Sequence, residues 1–374
     1  MNGPRWALVR YAECSAFLRD PRLSSTGRIR WLVSKALPET RTNFSELVRL
    51  LEMWMLFLDA PEHTRLRKLL NKGFSPAVID GLRTQVEAIV DEMFEAAPLA
   101  GADRIDVVRD FAHALPVRVI AQMLGVPPAQ HQQFIKWTNA IAVFVGSKIT
   151  NDTAQTTQDA VVALTSFFRD AVAKRRQRKG SDLISLLLDI EEDGDVLTEE
   201  ELYAQCVMLL FGGHETTRNL VGTAMYTLLK NPEQAADLRA NPEIIRSAVE
   251  ELLRYEGPVQ FTTRTVKEEM EIGGAQLAPG ESAIIVIAAA NRDPRKFEQA
   301  DRLNLRRMKN DHLAFGAGAH FCLGNLLARL EAQVAIAKLL RTFPEMRLTS
   351  EPEWAPNFQI RGLTSLVVSV GRAI

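Results

Sequence analysis

Phe315-Gly-Ala-Gly-Ala-His-Phe-Cys322-Leu-Gly324 is the stretch of sequence that decides the fold. It places one cysteine behind two glycines and directly before a predicted helix over Asn325 to Arg341. Gly316 and Gly318 permit a tight turn and a close approach to a flat ligand, where a side chain would collide. At a helix N-terminus, free N–H groups and the helix dipole favour the thiolate form of Cys322. A thiolate in this position is suited to be an axial ligand of iron.

Other uses of this cysteine fit the sequence less well. A structural zinc site needs four ligands, whereas only His320 lies close to Cys322 in the sequence. Nothing around Cys322 resembles the nucleophile and base of a cysteine protease. A buried cysteine in a glycine-bearing turn, without any ligand, is the alternative that this segment alone leaves open.

A second segment, Gly212-Gly-His-Glu-Thr-Thr217, lies in the middle of a predicted long helix. Thr198-Glu-Glu-Glu201 forms a capping box, and no proline follows until Pro232. The helix should therefore have about 32 residues and a length of about 48 Å, and it is apolar nearly all round, which predicts a central position. Its paired glycines cost about 1 kcal/mol each relative to alanine. They indicate a ligand face or a local opening where hydroxyls bond freed carbonyls; a kinked core helix is the alternative.

Composition narrows the class of protein. The 374 residues are 47% apolar and 24% charged, and 45 Lys and Arg stand against 46 Asp and Glu. Such a chain can bury a large core, and its balanced charge gives no reason to expect nucleic acid or an anionic membrane as a partner. Three widely spaced cysteines fit a reducing cytoplasm. The longest apolar run, Ala283 to Ala290, is far below the roughly 18 residues of a membrane span, so a soluble protein is expected.

The rest of the sequence predicts a mainly α chain with small, mostly antiparallel sheets at the side. From about Pro76 to Leu340, amphipathic helical stretches alternate with short breaks. No repeat or linker divides residues 1–374, which are expected to form a single domain. Short strand signals cluster at the two ends of the chain: Trp6 to Tyr11, Thr262 to Val266, Met270 to Ile272, Ser282 to Ile287 and Leu363 to Val370.

The pattern Phe-Gly-x-Gly-x-His-x-Cys-x-Gly resembles the haem-binding loop of the cytochrome P-450 family. A chance match in the chain is about one in a million, and the resemblance covers nearly the whole sequence. It implies the family fold, with a long central helix over the haem, and haem b (iron protoporphyrin IX) held by an axial thiolate from Cys322. It also implies that Phe315 packs near the sulfur, that His320 bonds a haem propionate and that Gly324 belongs to the haem-binding loop.

The resemblance assigns roles to residues elsewhere in the chain. Glu215 and Thr216 match the acid and alcohol pair that delivers protons on the oxygen-binding side of the haem. Buried haem propionates need cations or hydrogen-bond donors. The segments Asp59 to Arg67 and Phe261 to Arg264 match those that bind the propionates in the family, and they supply three such side chains: His63, Arg67 and Arg264.

Glu251-Leu-Leu-Arg254 is similar to the structural Glu-x-x-Arg element of the family. Arg306 is the position that matches the third member of this element. Phe297-Glu-Gln-Ala-Asp301 departs from the family's usual sequence just before it. Taken alone, Glu251 and Arg254 would be an exposed helix ion pair.

The implied reaction inserts one oxygen atom of O2 into a small apolar substrate and reduces the other to water. Hydroxylation in natural-product biosynthesis, for example of a polyketide, is favoured over epoxidation or ring coupling. A haem sensor or carrier without turnover is the rival hypothesis, and the Glu215 and Thr216 pair counts against it. The residues expected in the substrate pocket are aromatic or lie on the central helix: Trp54, Phe57, Phe211, Gly212, Phe261 and Phe358.

The electrons are expected to come from a separate ferredoxin and ferredoxin reductase, because no flavin or nicotinamide fingerprint follows Gly324. An acidic ferredoxin is expected to dock near a basic run, with a solvated helix face as the alternative: Arg65, Arg67, Lys68 and Lys72. Family members usually carry a further helix and strand before the segment that matches Gly3 to Tyr11. This chain is expected to lack that extension.

Overall fold

Helices dominate the structure, a computed structural model that describes residues 6–96, 98–146, 149–190 and 194–371. The prediction that the chain lacks an N-terminal extension concerns its first residues, and residues 1–5 lie outside these ranges. The α-helices are α1 (Tyr11–Phe17), α2 (Arg28–Ala36), α3 (Ser45–Glu52), α4 (Glu62–Gly73), α5 (Pro76–Gly81), α6 (Arg83–Glu95), α7 (Leu115–Met123), α8 (His131–Gly146), α9 (Asn151–Gln177), α10 (Leu183–Asp189), α11 (Glu199–Lys230), α12 (Pro232–Ala240), α13 (Ile245–Glu256), α14 (Ile287–Ala290) and α15 (Asn325–Thr342).

Short strands form small sheets beside the helices. They are β1 (Trp6–Leu8), β2 (Leu23–Ser24), β3 (Arg104–Asp106), β4 (Thr262–Val266), β5 (Met270–Ile272), β6 (Ala275–Leu277), β7 (Ser282–Ile285), β8 (Arg347–Leu348), β9 (Glu353–Trp354), β10 (Leu363–Ser365) and β11 (Val367–Ser369). The largest sheet has the order β1-β7-β4-β2, in which β1 and β7 are parallel and the other pairs are antiparallel. The predicted mainly α architecture with mostly antiparallel side sheets is confirmed.

The central helix α11 is the frame of the molecule. Thr198 caps it: the Thr198 hydroxyl accepts the Glu201 N–H, and the Glu201 carboxylate accepts the Thr198 N–H at 2.9 Å. The helix runs for 32 residues and ends where Pro232 begins α12. It packs against α7, α8, α9, α13 and α15, so its apolar surface is buried on all sides. The predicted cap, length and central position of this helix are confirmed.

The described residues include no helix that is both long and apolar enough to cross a bilayer.

Candidate active site

Two glycines in the left-handed region shape the cysteine loop. Gly316 has a φ of 72° and Gly318 a φ of 71°, which glycine adopts at little cost. A Cβ on Gly318 would lie 2.5 Å from the Leu18 carbonyl oxygen, so only glycine lets the loop pass this close to the end of α1. The Cys322 N–H donates to the Phe315 carbonyl at 2.9 Å. This bond closes the loop and places the thiol directly before α15.

Burial and charge act in opposite directions on the Cys322 thiol. Burial has the largest effect and raises the pKa of Cys322, whereas the Gly324 N–H and the guanidiniums of Arg67 and Arg329 lower it. The Gly324 N–H at the start of the helix thus acts in the predicted direction, toward the thiolate, but in the chain by itself desolvation has the larger effect. A metal ion at the sulfur reverses the balance, since a coordinating thiol loses its proton.

A half-buried ion pair between Arg329 and Glu250 supports the cysteine loop. The Arg329 guanidinium lies over the Phe315 ring, with Cζ 4.4 Å from the ring centre. Its Nε donates to Glu250 Oε1 at 2.6 Å, and its Nη1 donates to Asn325 Oδ1 at 2.6 Å. Asn325 in turn donates to the Cys322 carbonyl at 2.8 Å. The roles of Arg329 and Glu250 could not be predicted from the sequence, because the two residues are 79 positions apart on different helices and no local pattern indicates that they pair.

Two imidazoles meet beside the loop. The ring centres of His63, in α4, and His320 are 4.1 Å apart. Burial, followed by the charge of Arg264, lowers the pKa of His320 to about 3. His63 is 3% exposed, and its Nε2 has no hydrogen-bond partner within the described ranges. A buried polar nitrogen without a partner is costly, so this site suits a ligand that can hydrogen-bond to it.

Two guanidiniums complete this donor group. Arg264, on β4, donates within its own strand, to Thr262 Oγ1 at 3.1 Å and to the Thr263 carbonyl at 2.9 Å. Arg67 donates to the Phe321 carbonyl at 2.6 Å and so ties α4 to the cysteine loop. Both charges act on the His63 imidazole and lower its pKa together with burial, the largest cause. The structure thus brings the predicted propionate partners His63, Arg67, Arg264 and His320 together.

Open space borders the middle of the central helix. Gly212 is exposed although Phe211 before it is buried, and a Cβ on Gly212 would meet no atom within 4 Å. The helix stays regular through the glycines. The Thr216 hydroxyl donates to the Gly212 carbonyl at 2.8 Å, which is the predicted bond between a hydroxyl and a backbone carbonyl. A flat group can therefore approach the helix backbone at this point.

Glu215 and Thr216 are neighbours that bond different partners. Glu215 Oε2 accepts from Arg218 Nη1 at 3.1 Å, and Glu215 Oε1 accepts from Asn219 Nδ2 at 3.2 Å. Arg218 also donates to the Leu363 carbonyl on β10 at 3.0 Å. The carboxylate is therefore fixed toward the side sheet, and no bond joins it to the Thr216 hydroxyl.

The predicted pocket residues divide into three groups. Phe57, Phe211 and Phe261 are buried or half-buried. Trp54 is 0% exposed, and its ring centre lies 5.4 Å from that of Phe211. Trp54 therefore packs against Phe211 inside the core and does not line open space. Phe358 is 87% exposed, and its prediction as a pocket residue is wrong. The tip of the loop turns Phe358 outward, whereas the next side chain, Gln359, points into the protein toward Arg28.

The Glu251 and Arg254 pair is a core element, with both side chains 0% exposed. Arg254 Nη2 donates to Glu251 Oε1 at 2.7 Å, and Arg254 also donates to the carbonyls of Asn291 and Ala300. The third member of the cluster is Arg307, whose Nε donates to Glu251 Oε2 at 3.0 Å.

The prediction of Arg306 as the third member of this cluster is therefore wrong by one position. Arg306 pairs instead with Asp237 on α12, where its side chain is 51% exposed. In the loop that departs from the family's usual sequence, Gln299 takes a left-handed φ of 47°.

The predicted docking run is only partly available to a partner. Arg65 forms an ion pair with Glu201 and donates to the Val196 carbonyl at 3.2 Å, so it joins α4 to the start of α11. Arg67 is turned toward the cysteine loop. Lys68 and Lys72 are exposed on α4, and they are the members of the run that a partner could reach.

Comparison with known proteins agrees with this geometry. The family described as "Cytochrome P450" matches residues 48–246 and 236–358, which include the central helix and the cysteine loop. The chain belongs to the cytochrome P450 family. Cytochrome P450 107B1 of Saccharopolyspora erythraea is 39% identical over 373 residues, which cover 98% of this chain and 89% of that relative. The polyketide biosynthesis cytochrome P450 PksS of Bacillus subtilis is 37% identical over 380 residues, which cover 99% of this chain and 90% of that relative.

Solved structures give the same result. The structure of P450BioI in complex with an acyl carrier protein ligated to hexadec-9Z-enoic acid has a TM-score of 0.90 and 35% identity, and the match covers 98% of this chain and 92% of that chain. The predicted family, its fold and the assignment as a P450 monooxygenase are confirmed.

Proposed function

We propose that this P450 binds haem b through the Cys322 thiolate and hydroxylates a small apolar substrate of natural-product biosynthesis. The observation that carries the proposal is the cysteine loop, with its left-handed glycines and the donor group of His63, Arg67, Arg264 and His320 beside it. The relative PksS, a polyketide biosynthesis cytochrome P450, supports polyketide chemistry as the setting. The half-buried Phe261 and the aromatic wall of Phe57 and Phe211 support an apolar substrate.

The residues present fit haem in three respects. Cys322 offers a sulfur ligand, and a Cβ on Gly212 would meet no atom within 4 Å, so a flat ring can approach the helix backbone there. Two imidazoles and two guanidiniums, with the unpartnered Nε2 of His63 among them, suit two carboxylates. When bound, haem with a thiolate ligand favours O–O cleavage, so one oxygen atom of O2 enters the substrate and the other leaves as water, at the cost of two electrons and two protons.

The chain itself supplies a path for the protons. The Thr216 hydroxyl is held at the open face of α11 by the bond that it donates to the Gly212 carbonyl. Once the hydroxyl rotates away from that carbonyl, it can donate its proton toward the open space while its oxygen accepts a proton from a second donor. Glu215 is the carboxylate closest to it along the helix. Because Arg218 and Asn219 hold this carboxylate, its side chain must rotate away from them to exchange protons with Thr216. A sensor or carrier without turnover has no need for this pair.

Replacing Thr216 with valine should separate oxygen consumption from product formation. The variant keeps the shape of the side chain but loses the hydroxyl, and general acid catalysis of this kind contributes about 100-fold or more. With the haem-loaded protein, a surrogate ferredoxin and ferredoxin reductase, and ¹⁸O2, we expect labelled alcohol per O2 consumed to fall at least about tenfold and hydrogen peroxide to rise. Thr217→Val removes the neighbouring hydroxyl and should leave the ratio unchanged. Equal ratios in wild type and Thr216→Val would contradict the proposed path, and absence of label in the wild-type product would contradict oxygen insertion.

We also propose a separate ferredoxin, with its reductase, as the electron donor that docks near Lys68 and Lys72. Charge reversal in Lys72→Glu should slow reduction by an acidic ferredoxin about several-fold at low salt and flatten the dependence of the rate on ionic strength. Lys174→Glu reverses an exposed charge on α9 and is the matched control. Stopped-flow reduction at two salt concentrations measures both quantities. The same rates and salt dependence for wild type and Lys72→Glu would place the docking surface elsewhere.

A further inference from the structure

Arg28 is a half-buried cation at the first position of α2. Its Nη2 donates to Gln359 Oε1 at 2.9 Å. The segment around Gln359 is held firmly: the Gln359 carbonyl accepts the Gln260 N–H at 2.9 Å, and Asn357 Oδ1 accepts the N–H groups of Gln359 and Ile360. Arg28 is therefore fixed against a rigid loop tip by a neutral partner.

A second guanidinium lies close to Arg28. Burial lowers the pKa of Arg28, and burial followed by the charge of Arg28 lowers the pKa of Arg264 to about 10. Within the described part of the chain, neither guanidinium forms an ion pair with a carboxylate: Arg264 bonds its own strand, and Arg28 bonds an amide. Asp59 acts on Arg264 from a distance, and its Oδ1 accepts the Ser25 N–H at 2.8 Å. Two neighbouring cations that are both half-buried are costly unless an anion lies against them.

The proposed haem accounts for one of these cations. Arg264 belongs to the donor group of His63, Arg67 and His320, which already offers four side chains to two propionates. Arg28 comes from a different part of the chain, and its contacts lead toward the substrate side: Gln359 bonds the backbone of Gln260, and Gln260 precedes the predicted pocket residue Phe261. An anion held by Arg28 would therefore extend from a molecule in the apolar pocket.

We infer that Arg28, with the Gln359 amide beside it, binds a carboxylate carried by the substrate. This inference rests on the proposed function and deepens it, because it names the substrate class as an apolar body that ends in a carboxylic acid. The planar guanidinium matches a carboxylate with paired hydrogen bonds. Fixing the acid end at Arg28 would hold the apolar body along Phe261 in one register, which would determine which carbon atom is oxidised.

The test compares ligands that differ only at the polar end. Binding of hexadecanoic acid, methyl hexadecanoate and hexadecan-1-ol to the haem-loaded protein is measured by calorimetry at neutral pH. Wild type should bind the acid about tenfold or more tightly than the alcohol or the ester, which corresponds to about 1.4 kcal/mol. Arg28→Gln should remove this preference and leave the alcohol affinity unchanged, and Arg28→Lys should retain part of it. Arg30→Gln, two positions along α2 with a 74% exposed side chain, is the matched control and should behave as wild type.

Three results would overturn the inference. The first is a wild-type protein that binds the acid no better than the alcohol. The second is an Arg28→Gln variant that keeps the preference for the acid. The third is an Arg28→Gln variant that binds the acid and the alcohol equally weakly and has a shifted haem reduction potential without ligand, which would mean that Arg28 binds a haem propionate. Failure of the proposed function is seen separately, in the spectrum of the reduced carbon monoxide complex, because calorimetry reports the preference for the acid without any reference to the axial ligand.

Discussion

Replacing Cys322 with alanine should remove the red-shifted Soret band of the reduced carbon monoxide complex and abolish oxygen insertion. The sulfur is the only thiol in the loop, and an alanine methyl cannot ligate iron or push electron density toward bound gas. The backbone of the loop should survive, because its turns depend on Gly316 and Gly318 and on the bond from the Cys322 N–H, none of which involves the thiol. Absorption spectra and ¹⁸O2 labelling of the same preparations measure both effects.

Cys206→Ala is the control for the loss of a thiol. Cys206 is completely buried in the first half of α11 and belongs to the hydrophobic core. Its replacement should lower stability modestly and leave the Soret band in place. The assignment of Cys322 as the sulfur ligand would be contradicted by a Cys322→Ala protein that retained the red-shifted band. It would also be contradicted by a Cys206→Ala protein that lost the band with its haem still bound.

Replacing Arg254 with leucine should destabilise the protein by about 3–5 kcal/mol, because it leaves the fully buried Glu251 carboxylate without its principal partner. It also removes donors from the carbonyls of Asn291 and Ala300, on the segment that leads to the cysteine loop. We expect a much lower urea midpoint in circular dichroism and a reduced haem content of the purified protein. Glu251 keeps bonds from Arg307 Nε at 3.0 Å, Asn310 Nδ2 at 3.1 Å and the Asn304 N–H at 2.9 Å. These should compensate only in part, because Arg307 alone among them carries a charge and it contributes a single bond.

Arg306→Leu and Arg307→Leu complete the comparison. Arg306 pairs with Asp237 at the surface, where an ion pair contributes about 0–1 kcal/mol, so its loss should be nearly neutral. Arg307 lies 10% exposed against Glu251 and should have an effect between those of Arg306 and Arg254. If Arg306→Leu destabilised the protein as much as Arg254→Leu, the assignment of Arg307 to the buried cluster would be contradicted.

Local sequence signals predicted the parts of the fold that local physics determines. The capping box at Thr198, the proline at 232 and the all-round apolar surface between them define α11 within one residue at each end. The cysteine loop could be predicted for the same reason, since the left-handed φ of Gly316 and Gly318 requires glycine.

Side chains whose partners lie far along the chain could not be predicted in this way. The prediction named Arg306, but the neighbouring Arg307 is the residue that reaches Glu251, and only the direction of each side chain in the fold distinguishes the two. Phe358 was predicted in the pocket because it lies in a loop that faces the substrate in the family. In this fold, however, the Phe358 side chain is exposed, and the neighbouring Gln359 side chain points into the protein toward Arg28. Arg28 carries no local motif, and its significance comes only from the fold that brings it beside Arg264 and Gln359.

The absorption spectrum of the purified, haem-loaded protein, reduced with dithionite and exposed to carbon monoxide, tests the central claim most directly. We expect a strongly red-shifted Soret band, which is the signature of iron ligated by the Cys322 thiolate. A Soret band without that shift, in protein shown to contain a full complement of haem, would contradict thiolate ligation and with it the proposed oxygen chemistry.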